Sequence, residues 1–171
     1  MIKKLIKKII GEKASLRGTV IIRSYKAGTK DLLQELVFRN LIMQGANIGK
    51  DLIVQKMIAA YTGTDPYTLH ITHGAIGTSS TTPATSDTQL GTESARVSLT
   101  YAQDSGYNEA VFQFFFPDSA LTNQTYYEFG IFVDGTSSAN SGQLFNHALF
   151  GTPYAKSAGV DTTVEVDITF T

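Results

Sequence analysis

Cysteine and tryptophan are absent from this chain of 171 residues, and proline occurs only four times. Without cysteine there can be no disulfide, no thiolate metal site and no cysteine nucleophile. The same absence leaves the compartment open, because it suits a reducing cytoplasm and many secreted proteins alike. Without tryptophan, a sugar-stacking platform would have to be built from tyrosine. No apolar run approaches the roughly 20 residues that a membrane helix needs. Residues 2–10 carry lysines throughout and have no continuous apolar core, so they do not read as a signal peptide. What is present is ordinary for a packed protein: 42% hydrophobic and only 17% charged residues. That composition argues against wholesale disorder, and the length suits one domain or one domain with an appendage.

Positive charge is scarce over most of the chain. Residues 61–171 hold two Lys or Arg against 11 Asp or Glu, a net of −9, whereas residues 1–60 hold 12 against 4, a net of +8. Such a split suggests a basic arm that seeks an acidic partner, or attraction between copies. The N-terminal stretch sharpens it. Ile2, Leu5, Ile6, Ile9 and Ile10 fall on one helical stripe, with Lys3, Lys4, Lys7 and Lys8 on the other face and Gly11 as a stop. Three turns are marginal alone in water. The spacing therefore predicts an amphipathic helix over residues 1–13 that packs on protein. An anionic membrane surface is the weaker alternative.

Beyond residue 16 the pattern is mostly β. Val20 to Tyr25 and Leu33 to Asn40 read as strands joined by a turn at 27–31. Ile48, Leu52, Ile53, Met57 and Ala60 suggest a helix over about 48–61, covering one end or edge of the fold. Strands follow at 69–77, 93–102, 108–116, 126–133, 143–150 and 160–171. The last alternates cleanly, with Val164, Val166, Ile168 and Phe170 on one face. Turn signals separate the strands. The expected fold is mainly β: an antiparallel β-sandwich spanning 17–171, with one covering helix and an N-terminal docking arm at 1–16.

Motifs that carry chemistry are incomplete. Gly45 to Asp51 resembles a phosphate loop, but three residues separate its glycines instead of four, and Asp51 stands where Ser or Thr should hold magnesium. His70 and His73 would lie on opposite faces of a strand, so they do not share one ion, and no tetrahedral ligand set accompanies them. Ser79 lacks the nucleophile-elbow context. No cofactor and no metal are expected. Phe112 to Phe116 could stack bases in principle, yet they lie in the acidic part of the chain and read as core. Specific nucleic-acid binding is not expected. Tyr126, Tyr127, Tyr101 and Tyr107 are the candidates for a carbohydrate surface, and a pair of loop carboxylates acting on polysaccharide is the enzymatic alternative.

The stretch from His70 to Thr92 leaves a strand and runs through a long polar loop. Thr82-Pro83 favours an extended path, Asp87-Thr88 can form an Asx-type turn, and Leu90 can return to the core. From about Gly18 onward, the order of segments resembles small structural proteins of tailed bacteriophages of the tail, tail-fibre or decoration type. The resemblance is carried by Ile71-Thr72-His73-Gly74-Ala75-Ile76-Gly77-Thr78, by the loop from Thr81 to Glu93 leading into Arg96, by Tyr126 to Phe132, and by Leu144 to Phe150. Gly74 stands where such sequences often have Ile or Val. The lysine-rich N-terminal helix is not part of the resemblance.

The resemblance implies a virion structural protein, made in the host bacterial cytoplasm, that acts by protein–protein assembly and not as an enzyme. Its partners would be other virion proteins and copies of itself in a ring or trimer, with no membrane contact. The expected contact residues are Ile2, Lys3, Lys4, Leu5, Ile6, Lys7, Lys8 and Ile9 on the arm, and Thr81, Pro83, Asp87 and Leu90 on the loop. A receptor- or glycan-binding module of the virion is the alternative.

Overall fold

The computed structural model describes residues 15–171. The arm helix expected over residues 1–13 lies outside the described residues. The first strand, β1 (Leu16–Lys26), already includes Leu16, which pairs with Phe170. The chain continues through β2 (Leu32–Arg39), β3 (Leu41–Ile42), a small hairpin of β4 (Gln44–Gly45) and β5 (Ile48–Gly49), and helix α1 (Lys50–Thr62). Then come β6 (Ile71–Gly77), β7 (Glu93–Ser98), β8 (Tyr101–Asp104), β9 (Glu109–Phe116), a short 3-10 turn at Asp118–Ala120, β10 (Thr125–Val133), β11 (Gln143–Ala155) and β12 (Val160–Phe170).

Two five-stranded antiparallel sheets result. One has the order β2-β1-β12-β9-β8, the other β3-β11-β10-β6-β7. Their inner faces share one hydrophobic cluster. Val20, Ile22, Phe114, Phe116, Val164 and Val166 come from the first sheet, and Ile76, Phe129, Ile131, Phe145 and Ala148 from the second. The rings of Phe114 and Phe129 meet across the interface at 5.7 Å. The clean alternation of β12 has its physical reason here: Val164, Val166 and Ile168 point to this core, while Glu165, Asp167 and Thr169 line the outer face.

The region read as one strand over 93–102 is two strands in different sheets. β7 pairs with β6 and β8 with β9. At the crossing, the N–H of Leu99 donates to Thr72 and that of Thr100 to Gln113, each at 2.8 Å. The odd-numbered apolar residues do not keep one face through this corner: Ala95, Val97 and Leu99 pack on the core, whereas Tyr101 stands opposite Gln113 on the outer face and is 46% exposed.

Helix α1 covers less than its apolar spacing suggests. Leu52 is buried and Ile53 half-buried, but Met57 is 79% exposed and Tyr61 96%. Only the first turn packs, against the β4–β5 hairpin and the core, and the rest projects until Gly63 ends it in a left-handed conformation. The glycine-rich segment before it is that hairpin and helix start, not a phosphate cradle.

Strand β10 is central to the second sheet and buried on both faces, so Glu128 is carried into the interior with Tyr126 and Phe129 to Val133. Beside it, Asn146 accepts from the backbone N–H of Ile131 at 2.9 Å, where the register between β10 and β11 shifts. The displaced backbone donor is thereby satisfied.

Candidate functional site

The residues between β6 and β7 form a long irregular loop, and the fold fixes it from within. Its anchor is Glu128, which is fully buried. One carboxylate oxygen accepts the backbone N–H of Thr92 at 2.8 Å and that of Ser79 at 3.2 Å. The other accepts the N–H of Gly91 at 2.9 Å and faces His147 Nε2 at 2.8 Å. Four partners fill the four lone-pair directions of a carboxylate. Burial alone would oppose the charge, but His147 and the amides of Thr92 and Gly91 outweigh it and hold the Glu128 carboxyl below its ordinary range.

Close approach requires glycine on both sides. A Cβ on Gly77 would stand 2.4 Å from the Glu128 carboxylate, and one on Gly91 would stand 2.5 Å from Ser79 Oγ. The ends of the loop are also joined directly, with the N–H of Thr78 donating to Thr92 at 2.9 Å.

His147 extends the network to the middle of the loop. Its ring is buried, and Nδ1 lies 3.1 Å from Asp87 Oδ2. Each ring nitrogen thus faces a carboxylate, and only a ring protonated on both nitrogens donates to both. The same Asp87 oxygen accepts the N–H of Ala84 at 2.9 Å, while the N–H of Asp87 returns to the Ala84 carbonyl at 3.1 Å. Asp87 therefore closes a turn behind itself, over residues 84–87, and not the turn at 87–88 expected from the sequence. The N–H of Gln44 adds a bond to the Thr85 carbonyl at 2.7 Å. Leu90 does return to the core, 2% exposed among Met43, Ile48, Phe132 and Leu144.

What this framework presents outward is almost free of charge. Thr81, Thr82, Ala84, Thr85, Ser86, Thr88 and Gln89 are exposed. Pro83, half-buried, stands with Thr82 along a shallow groove floored by Leu41 and Leu149 and edged by Arg39 and Asn40. Of the four loop residues predicted from sequence, Thr81 and Pro83 reach the surface, Asp87 is turned toward His147, and Leu90 is an anchor with no outward role. The eight predicted arm residues, Ile2, Lys3, Lys4, Leu5, Ile6, Lys7, Lys8 and Ile9, lie outside the described residues.

Neither the family models, nor the curated proteins, nor the solved structures compared with the chain gave a match.

A buried ion pair organises the neighbouring loop after β10. Arg96 and Glu93, each only 3% exposed, meet in a two-pronged contact, Nε and Nη2 each donating at 2.8 Å. Arg96 also donates to the Ser141 carbonyl at 2.8 Å and lies over the Phe132 ring at 4.1 Å. Glu93 accepts the N–H of Asn140 at 3.0 Å. At the far side of the fold, the buried Lys156 ammonium is held by Asp118 and the Ser157 carbonyl. These interior charges bind loop backbone and one another.

Among the described residues, no three His, Asp or Glu side chains form a metal-binding group, and no helix is long and apolar enough to cross a membrane. Tyr126 is excluded from any sugar platform. It is fully buried, stacks on Tyr154 at 6.4 Å and donates to the Thr122 carbonyl. Tyr101 and Tyr107 are exposed. Phe114 and Phe116 are core, which removes them as base-stacking groups.

Proposed function

We propose that the chain is a structural protein of a bacteriophage particle, a β-sandwich that acts by specific protein–protein contact. The loop at 78–92 would be one of its contact surfaces. The observation that carries this reading is the buried Glu128–His147–Asp87 network. It holds a solvent-facing segment of short, uncharged side chains in one conformation. A surface prepared in this way loses little chain entropy when a partner covers it. Thr and Ser also cost less than Lys or Glu in side-chain entropy and desolvation. The order of segments that resembles phage structural proteins supports the same conclusion, as does the use of the buried charges to fix loops.

The test is incorporation. Particles would be purified from cells whose phage genome encodes the chain with Thr82→Arg and Gln89→Arg. Both changes fall on exposed loop positions and should leave the unfolding midpoint unchanged. Loss of the variant from the particles supports the loop as a contact. Incorporation equal to wild type removes it.

The second reading, a glycan-binding module, rests on Tyr101 and Tyr107. Tyr107 is fully exposed beside Asp104 and Asn108. That reading predicts sugar-dependent binding that disappears in Tyr107→Ala.

A further inference from the structure

Strand β2 ends the first sheet, and no described residue pairs with its outer side. At eight residues it is longer than the other terminal strands, β8, β3 and β7. The hydrogen-bond parity of this edge follows from its neighbours. Ser15 and Thr171 exchange both backbone bonds, so the odd-numbered residues of β1 turn their N–H and C=O groups toward β12. Even-numbered residues turn toward β2, as shown by the Asn40 N–H donating to the Gly18 carbonyl at 3.1 Å. In β2, Leu36 and Phe38 are therefore paired inward. Glu35, Val37 and Arg39 direct their backbone groups to the open edge.

We propose that this edge is an interface between two copies of the chain, joined antiparallel about a two-fold axis at Val37. In that register Val37 meets the partner's Val37, and Glu35 meets the partner's Arg39 twice over. Each facing pair exchanges two backbone bonds. Centring the axis on Glu35 or Arg39 would set like charges face to face, which is destabilising between strands. The Val37 register is thus selected by charge.

The apolar surface agrees with it. Val37 is 59% exposed on the outer face, and Leu36 and Phe38 are half-buried on the inner face. Leu36 would lie against the partner's Phe38, extending the contact that Phe38 makes with Phe150 at 5.0 Å. On the outer face, Arg23 already holds Glu35 at 2.7 Å and would leave it poised for a second cation. A long unpaired edge with apolar side chains invites strand addition unless it is blocked. Here the charges suit a second copy of the same strand. The inference is independent of where on a particle the chain resides.

The test uses the full chain and its mass in solution by light scattering. Wild type is expected to dimerise with concentration. Glu35→Arg and Arg39→Glu should each raise the dissociation constant on the order of 100-fold, because each places like charges opposite one another twice. Mixed together, these two variants should pair again, since the arginines of one face the glutamates of the other. Oxidised Val37→Cys should form a covalent dimer through its single thiol. A monomeric wild type overturns the proposal, and this includes an edge covered by residues 1–14 of the same chain. So does a wild-type dimer that neither charge variant weakens and that yields no Val37→Cys crosslink.

Discussion

Replacing Glu128 with alanine should release the loop at 78–92 and cost most of a small protein's stability margin. The change removes an acceptor from three backbone N–H groups, those of Ser79, Gly91 and Thr92, and from the buried ring of His147. Each buried donor left unpaired costs about 1–3 kcal/mol. Water entering the vacated space relieves part of the sum over these donors, so about 4 kcal/mol is expected. Urea unfolding measures the loss, and amide exchange at Gly91 and Thr92 locates it. The sign of the pH dependence follows from the lowered Glu128 pKa. The contribution is present in full above the ordinary carboxylate range and is lost as pH falls through the folded-state value. The gap between wild type and variant should therefore be wide at pH 7 and narrow below about pH 4. A loss under about 1 kcal/mol at pH 7, or unchanged protection of Gly91 and Thr92, would refute the idea that this carboxylate fixes the loop.

Three further predictions rest on other parts of the fold. Arg96→Ala strands the buried Glu93 and the Ser141 carbonyl, so a loss of about 3–5 kcal/mol in urea unfolding is expected. Arg96→Lys should recover only part of it, because an ammonium cannot make the two-pronged contact. Gly74→Ala would put a Cβ 2.7 Å from the rings of Phe114 and Phe129, and overpacking of about 1–3 kcal/mol should appear as a lowered thermal midpoint. Asp167 has its pKa raised to about 6 by burial and by the charges of Glu165 and Glu109, with Arg23 opposing. The folded state therefore holds a proton that the unfolded chain has lost, and stability falls as pH rises from about 4 to about 6. Asp167→Asn should gain about 1 kcal/mol at pH 8, a figure reduced for solvent screening. The gain should vanish near pH 4.

The sequence made some of this architecture visible and concealed the rest for identifiable reasons. The alternation of β12 and the paired phenylalanines of β9 were legible because each strand has one face in the core and one in water. Leu90 was legible as an apolar residue isolated in a polar loop. Glu128 was not, because it lies in a strand buried on both faces, where alternation carries no information. Its backbone partners are 36 to 49 residues away. Nothing local to His147 reveals that it joins Glu128 to Asp87. The misread strand at 93–102 shows another limit, since the apolar spacing runs on to Tyr101 although the chain has changed both sheet and face there. Met57 and Tyr61 follow the half-buried Ile53 at four-residue helical spacing, yet the fold ends before it reaches them. Tyr126 looked like a surface tyrosine beside Tyr127, and only its stacking on Tyr154 shows that it belongs to the core.

The most direct test of the account is the copy number of the chain in gradient-purified particles, counted by quantitative mass spectrometry against a known capsid protein. The account predicts a fixed whole-number complement per particle, retained through washing in high salt. A chain that stays in the cell lysate and is absent from the particles would contradict it.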